Sequence, residues 1–257
     1  MIPWYKSSFG HEYLKLYAHR DENEAQADIE AIIELIAPPR DKPLLDLGCG
    51  AGRHLTALYR LGFRSLTGLD LSEELLQVAQ ERLTAAGAKN VKLLCCDMRF
   101  LPYKEHFASV LSLFTSFGYF ARDAENAAVL HAVYRALQLR GKFLIDYINR
   151  EYLLANLVQE EEKILAGEQV KIARQLTADH RRIEKTMFIT TAAGIEKKFH
   201  ESVRLYTPAE IEAMLKSAGF TSVCRYGSLR GERFTSQSAR LIVVAETCPR
   251  PGPGKGK

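Results

Sequence analysis

The sequence predicts an α/β fold: a doubly wound, mostly parallel seven-stranded sheet with helices on both faces. Short apolar runs alternate with helical segments in the first part of the chain, which indicates parallel strands joined by right-handed crossovers. Two apolar runs near residue 248 have no helix between them and predict a C-terminal antiparallel hairpin. After the fifth strand, strand-like runs punctuated by turn residues predict a small antiparallel β insertion.

Each element follows from a local pattern. An apolar stripe predicts a helix from Glu12 to Ile36, which Pro38-Pro39 ends. The strands expected in the main sheet are Pro43–Leu47, Ser65–Asp70, Val91–Cys95, Ala108–Phe114, Phe143–Tyr147, Ser222–Tyr226 and Arg240–Glu246. The helices expected between them are Arg53–Leu61, Ser72–Ala86, Ala124–Leu139 and Ala209–Ser217. The strand-like runs of the insertion are Val170–Leu176, Arg182–Thr190 and Ile195–Leu205.

These elements divide the chain into four parts. Residues 1–40 are expected to form an N-terminal helical cap, and residues 41–160 with 205–248 the α/β domain. Residues 161–204 are expected to form an antiparallel lid, and residues 249–257 a disordered basic tail.

Composition narrows the class of protein. Hydrophobic residues make up 47% and charged residues 26%, as in soluble globular proteins. No apolar run reaches the roughly 18 residues that span a bilayer, and the start lacks a signal-peptide pattern, so we expect a cytoplasmic protein without a membrane partner. The net charge of +4 falls to +1 without the tail, so nucleic acid is an unlikely partner. The five cysteines lack C-x-x-C spacing, and no metal site is expected.

A glycine-rich turn follows the first strand, in the segment Asp46 to Gly52. Its third glycine comes one place too early for a dinucleotide fingerprint, which disfavours a pyrophosphate cradle. Asp70 ends the second strand, where an acid can accept both hydroxyls of a ribose. Asp97 and Met98 follow the third strand, where they could contact an adenine amino group and ring face. The alternative for the glycine turn is a plain strand-to-helix connection, and the alternative for Asp70 is a helix-capping acid. Three such features at successive strand ends nevertheless favour a nucleoside pocket.

Five segments in order resemble the motifs of class I, Rossmann-like S-adenosylmethionine-dependent methyltransferases. They read LLDLGCGAGRH, LTGLDLS, CCDMRFLP, SVLSLFTSFGYF and GKFLIDYINREYL. The likeness is to the small-molecule type with an antiparallel lid. It implies S-adenosyl-L-methionine as cofactor, S-adenosyl-L-homocysteine as product, and methyl transfer to nitrogen or oxygen of a small-molecule acceptor.

The resemblance also implies a set of cofactor-binding residues. It places Asp46 and Gly48 near the amino-acid part of the cofactor, and Asp70 on the ribose. Tyr13, Tyr17 and Arg20 resemble a helix that closes the pocket, although a solvated arginine is the alternative for Arg20. The full set is Tyr13, Tyr17, Arg20, Asp46, Gly48, Cys49, Gly50, Gly52, Asp70, Leu71, Asp97, Met98, Arg99, Leu113 and Phe114.

The acceptor side is expected after the fourth strand. Ser116 and Tyr119 could orient a nucleophile, whereas packing is the favoured role of Phe117 and Phe120. His200 is a third candidate, because even spacing puts it on the same face of a lid strand as Arg204. If that face points inward, the two could bind a carboxylate-bearing substrate or act as a base. A solvated sheet face is the alternative.

Further residues and functions stay open. After the fifth strand Asp146, Tyr147 and Asn149 are candidates, with helix capping the alternative for Asn149. His54 is expected to be a first-turn helix residue rather than a base. The motifs used to methylate nucleobase amines or pyrimidines are absent. The alternative functions are an RNA or protein methyltransferase, or a non-catalytic module that binds S-adenosylmethionine or S-adenosylhomocysteine. The sequence is compatible with either a monomer or a homodimer.

Overall fold

The computed structural model describes residues 3–6, 8–10, 14, 22–165, 167–190 and 196–248. The α-helices in this part are α1 (Glu22–Ile36), α2 (Arg53–Arg60), α3 (Glu73–Ala85), α4 (Asp123–Ala136), α5 (Arg150–Ala155) and α6 (Pro208–Ala218). The strands are β1 (Leu44–Leu47), β2 (Leu66–Asp70), β3 (Lys92–Cys95), β4 (Phe107–Ser112), β5 (Leu137–Ile148), β6 (Glu160–Leu165), β7 (Glu168–Leu176), β8 (Arg182–Thr190), β9 (Glu196–Arg204), β10 (Phe220–Tyr226) and β11 (Arg240–Thr247).

The main sheet has seven strands in the order β10-β11-β5-β4-β1-β2-β3. Strands β1 to β5 pair in parallel, and β11 pairs antiparallel with both β5 and β10. The predicted mostly parallel sheet with a C-terminal antiparallel hairpin is confirmed. The chain reverses its winding between β1 and β4, and in such sheets a ligand cleft opens at the carboxyl ends of those strands.

Helices cover both faces of the main sheet. One core cluster buries Ile29 of α1 and Leu55 of α2 against the sheet. The other buries Val133 of α4 and Ile211 of α6 against the opposite face. Side chains on both faces of β1, β2 and β4 are therefore removed from water, which is why these strands are mostly apolar along their whole length.

A separate antiparallel sheet follows α5, in the order β6-β7-β8-β9, and we call it the lid sheet. The insertion is confirmed, but it has four strands where the sequence predicted three. The missed strand is β6, whose sequence Glu160-Glu161-Glu162-Lys163 is highly charged. An edge strand pairs on one side only and commonly carries charge, so its local pattern does not reveal it.

Several boundaries differ from the predicted ones. Strand β4 ends at Ser112, two residues before the predicted end. Strand β5 begins at Leu137, inside the predicted helix that ran to Leu139, and its pairing with β4 shifts around Gly141. Helix α1 is described from Glu22, so most of the predicted start from Glu12 lies outside the described residues.

Predicted helix caps are found where the sequence placed them. The Ser72 hydroxyl accepts a hydrogen bond from the Leu75 N–H, and Thr207 and Glu210 form a reciprocal capping box at α6. Gly219 ends α6 with a φ of 112°, a conformation that favours glycine. Within the described part of the chain, no helix combines the length and the apolar character needed to cross a bilayer.

Candidate functional site

A cavity of about 410 Å³ lies at the carboxyl ends of β1 to β4. Gly48, Asp70 and Asp97, which follow or end three neighbouring strands, all line it. The convergence expected from the sequence is therefore present, and the volume is in the range of small-ligand sites. Eleven predicted site residues line this cavity: Gly48, Cys49, Gly50, Asp70, Leu71, Asp97, Met98, Leu113, Phe114, Ser116 and Tyr119.

The glycine turn has positive φ at Gly48, Gly50 and Gly52, but for different reasons. A Cβ on Gly48 would lie 2.7 Å from Cβ of Ser116, and one on Gly52 would lie 2.9 Å from Cβ of Ala79. A Cβ on Gly50 would meet only a leucine methyl group, at 4.0 Å. Gly50 therefore leaves backbone open to a ligand, whereas Gly52 is required by the packing of α3 and does not line the cavity.

Asp70 joins the second strand to this turn. Its Oδ2 accepts a hydrogen bond from the Gly50 N–H at 2.8 Å, and its Oδ1 accepts one from the Ser72 N–H at 2.9 Å. Burial raises the pKa of Asp70, and these two donors partly oppose that shift. The helix cap itself is Ser72, so the capping alternative for Asp70 is not what the structure shows.

Asp97 is held in place by Arg99. The Arg99 guanidinium contacts both carboxylate oxygens of Asp97 and pairs with Glu125 at 2.6 Å. Hydrogen bonding to Asp97 raises the pKa of Arg99. Arg99 is not among the cavity-lining residues, so its part in the site is to orient Asp97.

Asp46 lies behind the cavity wall and is 1% exposed. Among the described residues its Oδ2 has no hydrogen-bond partner. Burial raises the pKa of Asp46 to about 6, and neighbouring His54 partly offsets this shift. An orphaned buried carboxylate oxygen is costly, and a cationic ligand group would relieve that cost.

The loop after β4 is strained, with positive φ at Phe114 and Thr115. The Asp146 carboxylate accepts the Phe114 N–H at 2.9 Å and pairs with Arg240, which also donates to the Thr115 hydroxyl. Arg240, which the sequence did not single out, and Arg53 both place a guanidinium over the Phe114 ring, at 5.5 and 5.1 Å. Asp146 thus supports the site without lining it.

Two other candidates after β5 are structural. Tyr147 is fully buried and donates its hydroxyl to the Arg204 carbonyl. Asn149 accepts from the Glu151 N–H as the N-cap of α5 and donates to the Ser238 carbonyl at 2.7 Å. The capping alternative for Asn149 is confirmed, because a buried amide must satisfy both its donor and its acceptor.

The end of the cavity beyond Ser116 is aromatic. Tyr5 and Phe9, which the sequence did not single out, line it together with Tyr119 and Phe120. The Tyr119 ring lies 5.7 Å from Phe9. The Ser116 hydroxyl donates to the Leu113 carbonyl at 2.8 Å, and Phe117 is buried as expected. Tyr5 and Phe9 belong to no periodic pattern in the sequence. They line the cavity because of where the tertiary structure places the segment before α1.

Other residues predicted for the site lie elsewhere. His200 is not among the lining residues, and its carbonyl accepts the Ser8 hydroxyl at 2.7 Å. Arg204 does not face a substrate: it pairs with Asp123 and Glu210, both at 3.1 Å. The Arg204 side chain is 5% exposed, and a buried guanidinium requires such counter-charges, which the spacing of β9 alone does not reveal. His54 is in the first turn of α2, as expected, and its ring also reaches the cavity.

Three predicted residues cannot be placed. Tyr13, Tyr17 and Arg20 lie outside the described residues. The remaining lining residues that the sequence did not assign are Leu14, Ala51, Arg53, Leu69, Leu75, Arg82 and Cys96.

Comparison with known proteins identifies the family. A family model described as a methyltransferase domain matches residues 39–219. The chain is 26% identical to a cypemycin N-terminal methyltransferase from Streptomyces over 222 residues, 86% of this chain and 89% of the relative. It is 30% identical to a dTDP-3-amino-3,4,6-trideoxy-alpha-D-glucopyranose N,N-dimethyltransferase from Streptomyces venezuelae over 136 residues, 52% of this chain and 54% of the relative.

A solved structure is similar over nearly the whole chain. The amino pentose methyltransferase of calicheamicin biosynthesis from Micromonospora echinaspora, solved with S-adenosylmethionine bound, superposes with a TM-score of 0.66. It is 25% identical, and the match covers 92% of this chain and 97% of that one.

Proposed function

The chain belongs to the methyltransferase domain family and is an S-adenosylmethionine-dependent methyltransferase, and we propose that it methylates the nitrogen of a small-molecule amine. One observation supports the proposal: a single cavity joins Asp70 and Asp97, the proposed nucleoside end, to an aromatic end at Tyr119. Cofactor and acceptor would meet in that cavity, in line and away from water.

The residues present fit the cofactor. We infer that Asp70 binds the ribose hydroxyls, that Asp97 accepts the adenine amino group and that Met98 packs on the ring. Gly50 presents open backbone, and Leu113 and Phe114 would support the methionine part. Asp46 lies behind the cavity wall, so its orphaned Oδ2 would reach the α-ammonium group through a water.

The cofactor supplies a methyl group activated by a positively charged sulfur. With the cofactor held at Asp70 and Asp97, Tyr119 and Phe120 would hold the amine nitrogen in line with that methyl group. The methyl group would pass to nitrogen while the electron pair of the C–S bond passes to sulfur. The methylated ammonium then releases one proton to solvent. The aromatic rings of Phe9 and Tyr119 at this end of the cavity would favour the positive charge carried by nitrogen.

Two kinds of relative favour nitrogen over oxygen. One is named as a cypemycin N-terminal methyltransferase, and the other two are named for amino sugars. No shared acceptor follows from them, but each offers an aliphatic amine.

The experiment is methyl transfer from cofactor labelled in its methyl group to matched pairs of compounds. Amino sugars and peptides with a free N-terminus are tested beside isosteres in which hydroxyl replaces the amine. Label is expected in the amines alone. Label in the hydroxyl compounds would assign an oxygen acceptor. RNA and folded protein are tested in parallel, and label in these alone would assign the macromolecular alternative.

A variant pair locates the acceptor end. Tyr119→Ala is expected to lower the transfer rate about 10- to 100-fold while S-adenosylhomocysteine affinity is kept, because a misplaced acceptor slows an otherwise intact site. Tyr103→Ala is the control, since this tyrosine packs beside His106 and Phe107 and does not line the cavity. Equal transfer rates in both variants would show that the acceptor does not bind beside Tyr119.

A further inference from the structure

Arg182, the first residue of β8, reaches from the lid sheet to the loop that carries Tyr119. Its guanidinium donates to the carbonyls of Phe120 at 3.0 Å, Tyr119 at 3.2 Å and Gly118 at 3.4 Å. Three consecutive backbone carbonyls thus converge on one side chain. Such an arrangement fixes the path of the chain at residues 118–120.

The lid end of Arg182 is fixed as well. Its Nε donates to the Ser202 hydroxyl at 2.9 Å, and its Nη2 donates to the Ser202 carbonyl at 2.8 Å. Arg182 therefore bridges β9 and the loop without an ion pair to a carboxylate among the described residues. Partial burial of a charge against neutral oxygens costs free energy, and burial lowers the pKa of Arg182.

Gly118 shows how closely the lid sheet and the loop approach. Its carbonyl accepts a hydrogen bond from the Arg204 N–H at 2.9 Å. Its φ is +93°, and a Cβ there would lie 2.8 Å from the Tyr147 hydroxyl and 3.2 Å from the Arg204 carbonyl. The loop is thereby joined to β9 by backbone as well as by Arg182, so its position depends on the lid sheet.

The residues that this loop presents are those of the aromatic end. Tyr119 and Phe120 line the cavity, and the Tyr119 ring lies 5.0 Å from Trp4. Arg182 itself does not line the cavity. Any effect of Arg182 on transfer must therefore pass through the loop.

We propose that Arg182 is a positioning residue that holds Tyr119 and Phe120 at the acceptor end of the cavity. The lid sheet then acts as a fixed support of the acceptor site. The effect on transfer rests on the proposed function, whereas the effect on loop geometry does not.

The test compares Arg182→Met with Arg174→Met, a matched control within the lid sheet. Arg174 pairs with Glu161 and donates to the Val158 carbonyl, away from residues 118–120. Trp4 is the sole tryptophan of the sequence and contacts Tyr119, so its fluorescence reports on the aromatic end. Four quantities are measured on each folded protein: the Trp4 emission maximum, acrylamide quenching of that emission, S-adenosylhomocysteine affinity by calorimetry, and the rate of methyl transfer.

We expect Arg182→Met to red-shift Trp4 emission, to increase quenching and to lower kcat about 10-fold or more, with cofactor affinity unchanged. Arg174→Met should match the wild type in all four. Wild-type emission and kcat in Arg182→Met would overturn the proposal, as would a loss of cofactor affinity that accounts for the whole loss of rate.

A conservative variant covers the case in which Arg182→Met does not fold. Arg182→Lys keeps the charge but offers a single nitrogen, which cannot span three carbonyls and Ser202. An intermediate shift of Trp4 emission supports the proposal, and a wild-type spectrum overturns it. If the wild-type protein binds no cofactor, the proposed function fails, while the Trp4 comparison still decides the role of Arg182 in the loop.

Discussion

The carboxylate of Asp70 accepts the backbone N–H of Gly50 at 2.8 Å, so one side chain ends β2 and also fixes the turn that follows β1. The two neighbouring strands thereby share a group at the cavity. Removing it should affect both the proposed ribose site and the shape of the turn.

Asp70→Ala is expected to weaken S-adenosylhomocysteine binding about 100-fold, because two hydrogen bonds to a charged group are lost. Calorimetry at neutral pH measures the affinity. Asp41→Ala, at an exposed aspartate near the amino ends of the strands, is the control and should bind normally. Near-wild-type affinity of Asp70→Ala in folded protein would exclude the ribose assignment.

Cofactor affinity should depend on the ionisation of Asp46. Burial raises its pKa to about 6, so the carboxylate that would attract an α-ammonium group forms as pH rises through 6. Affinity for S-adenosylhomocysteine is expected to rise, by at most about tenfold per pH unit, from pH 5 and to level off above pH 7. Asp46→Asn should bind more weakly and lose this part of the profile, and superimposable profiles would contradict the assignment.

The raised pKa of Asp46 has the opposite effect on the stability of the fold: stability falls, rather than rises, as the pH increases. A carboxyl whose pKa is raised on folding favours the folded state when protonated, and that contribution is lost as pH rises from about 4 through 6. Relative to the wild type, Asp46→Asn should therefore gain stability between pH 4.5 and pH 7.5 in urea unfolding without ligand. A constant difference across this range would mean that Asp46 does not titrate there.

Gly52 is expected to tolerate alanine poorly. The new Cβ would lie 2.9 Å from Cβ of Ala79 with a φ of +74°, and the combined clash and strain should cost about 3 kcal/mol. Gly87→Ala is the matched control: its φ is +79° but nothing lies within 4 Å, so strain alone should cost about 1 kcal/mol. Equal losses in urea unfolding would show that the contact with α3 is relieved by relaxation.

Asn149→Ala is expected to destabilise the fold by about 3 kcal/mol, because a helix cap and buried hydrogen bonds to the segment at 235–238 are lost together. Cofactor affinity should be unchanged, since Asn149 does not line the cavity. Asn156→Ala, at the exposed far end of α5, should cost less than about 0.5 kcal/mol. If Asn149→Ala lost cofactor affinity without losing folding stability, Asn149 would be assigned to the cofactor site instead of to a structural role.

Much of the main sheet was predictable from local sequence. Runs such as Leu44–Leu47 are buried on both faces, and the caps at Ser72 and Gly219 depend only on neighbouring residues. Strand β6 was not predictable, because pairing with β7 determines it and its own residues are mostly charged. The early start of β5 likewise depends on its pairing with β4.

The sequence by itself determined that Gly48, Asp70 and Asp97 line one cavity, which is the proposed nucleoside site, since they end or follow parallel strands whose carboxyl ends must meet. Only the tertiary structure decided the acceptor end. Tyr5, Arg182 and Arg240 come from distant parts of the chain. Tyr5 packs against the Phe120 ring, whereas the roles of Arg182 and Arg240 depend on the carbonyls and the carboxylate that they meet. It also decided that Arg204 is paired with acids inside the protein, because long-range contacts leave no periodic trace in the sequence.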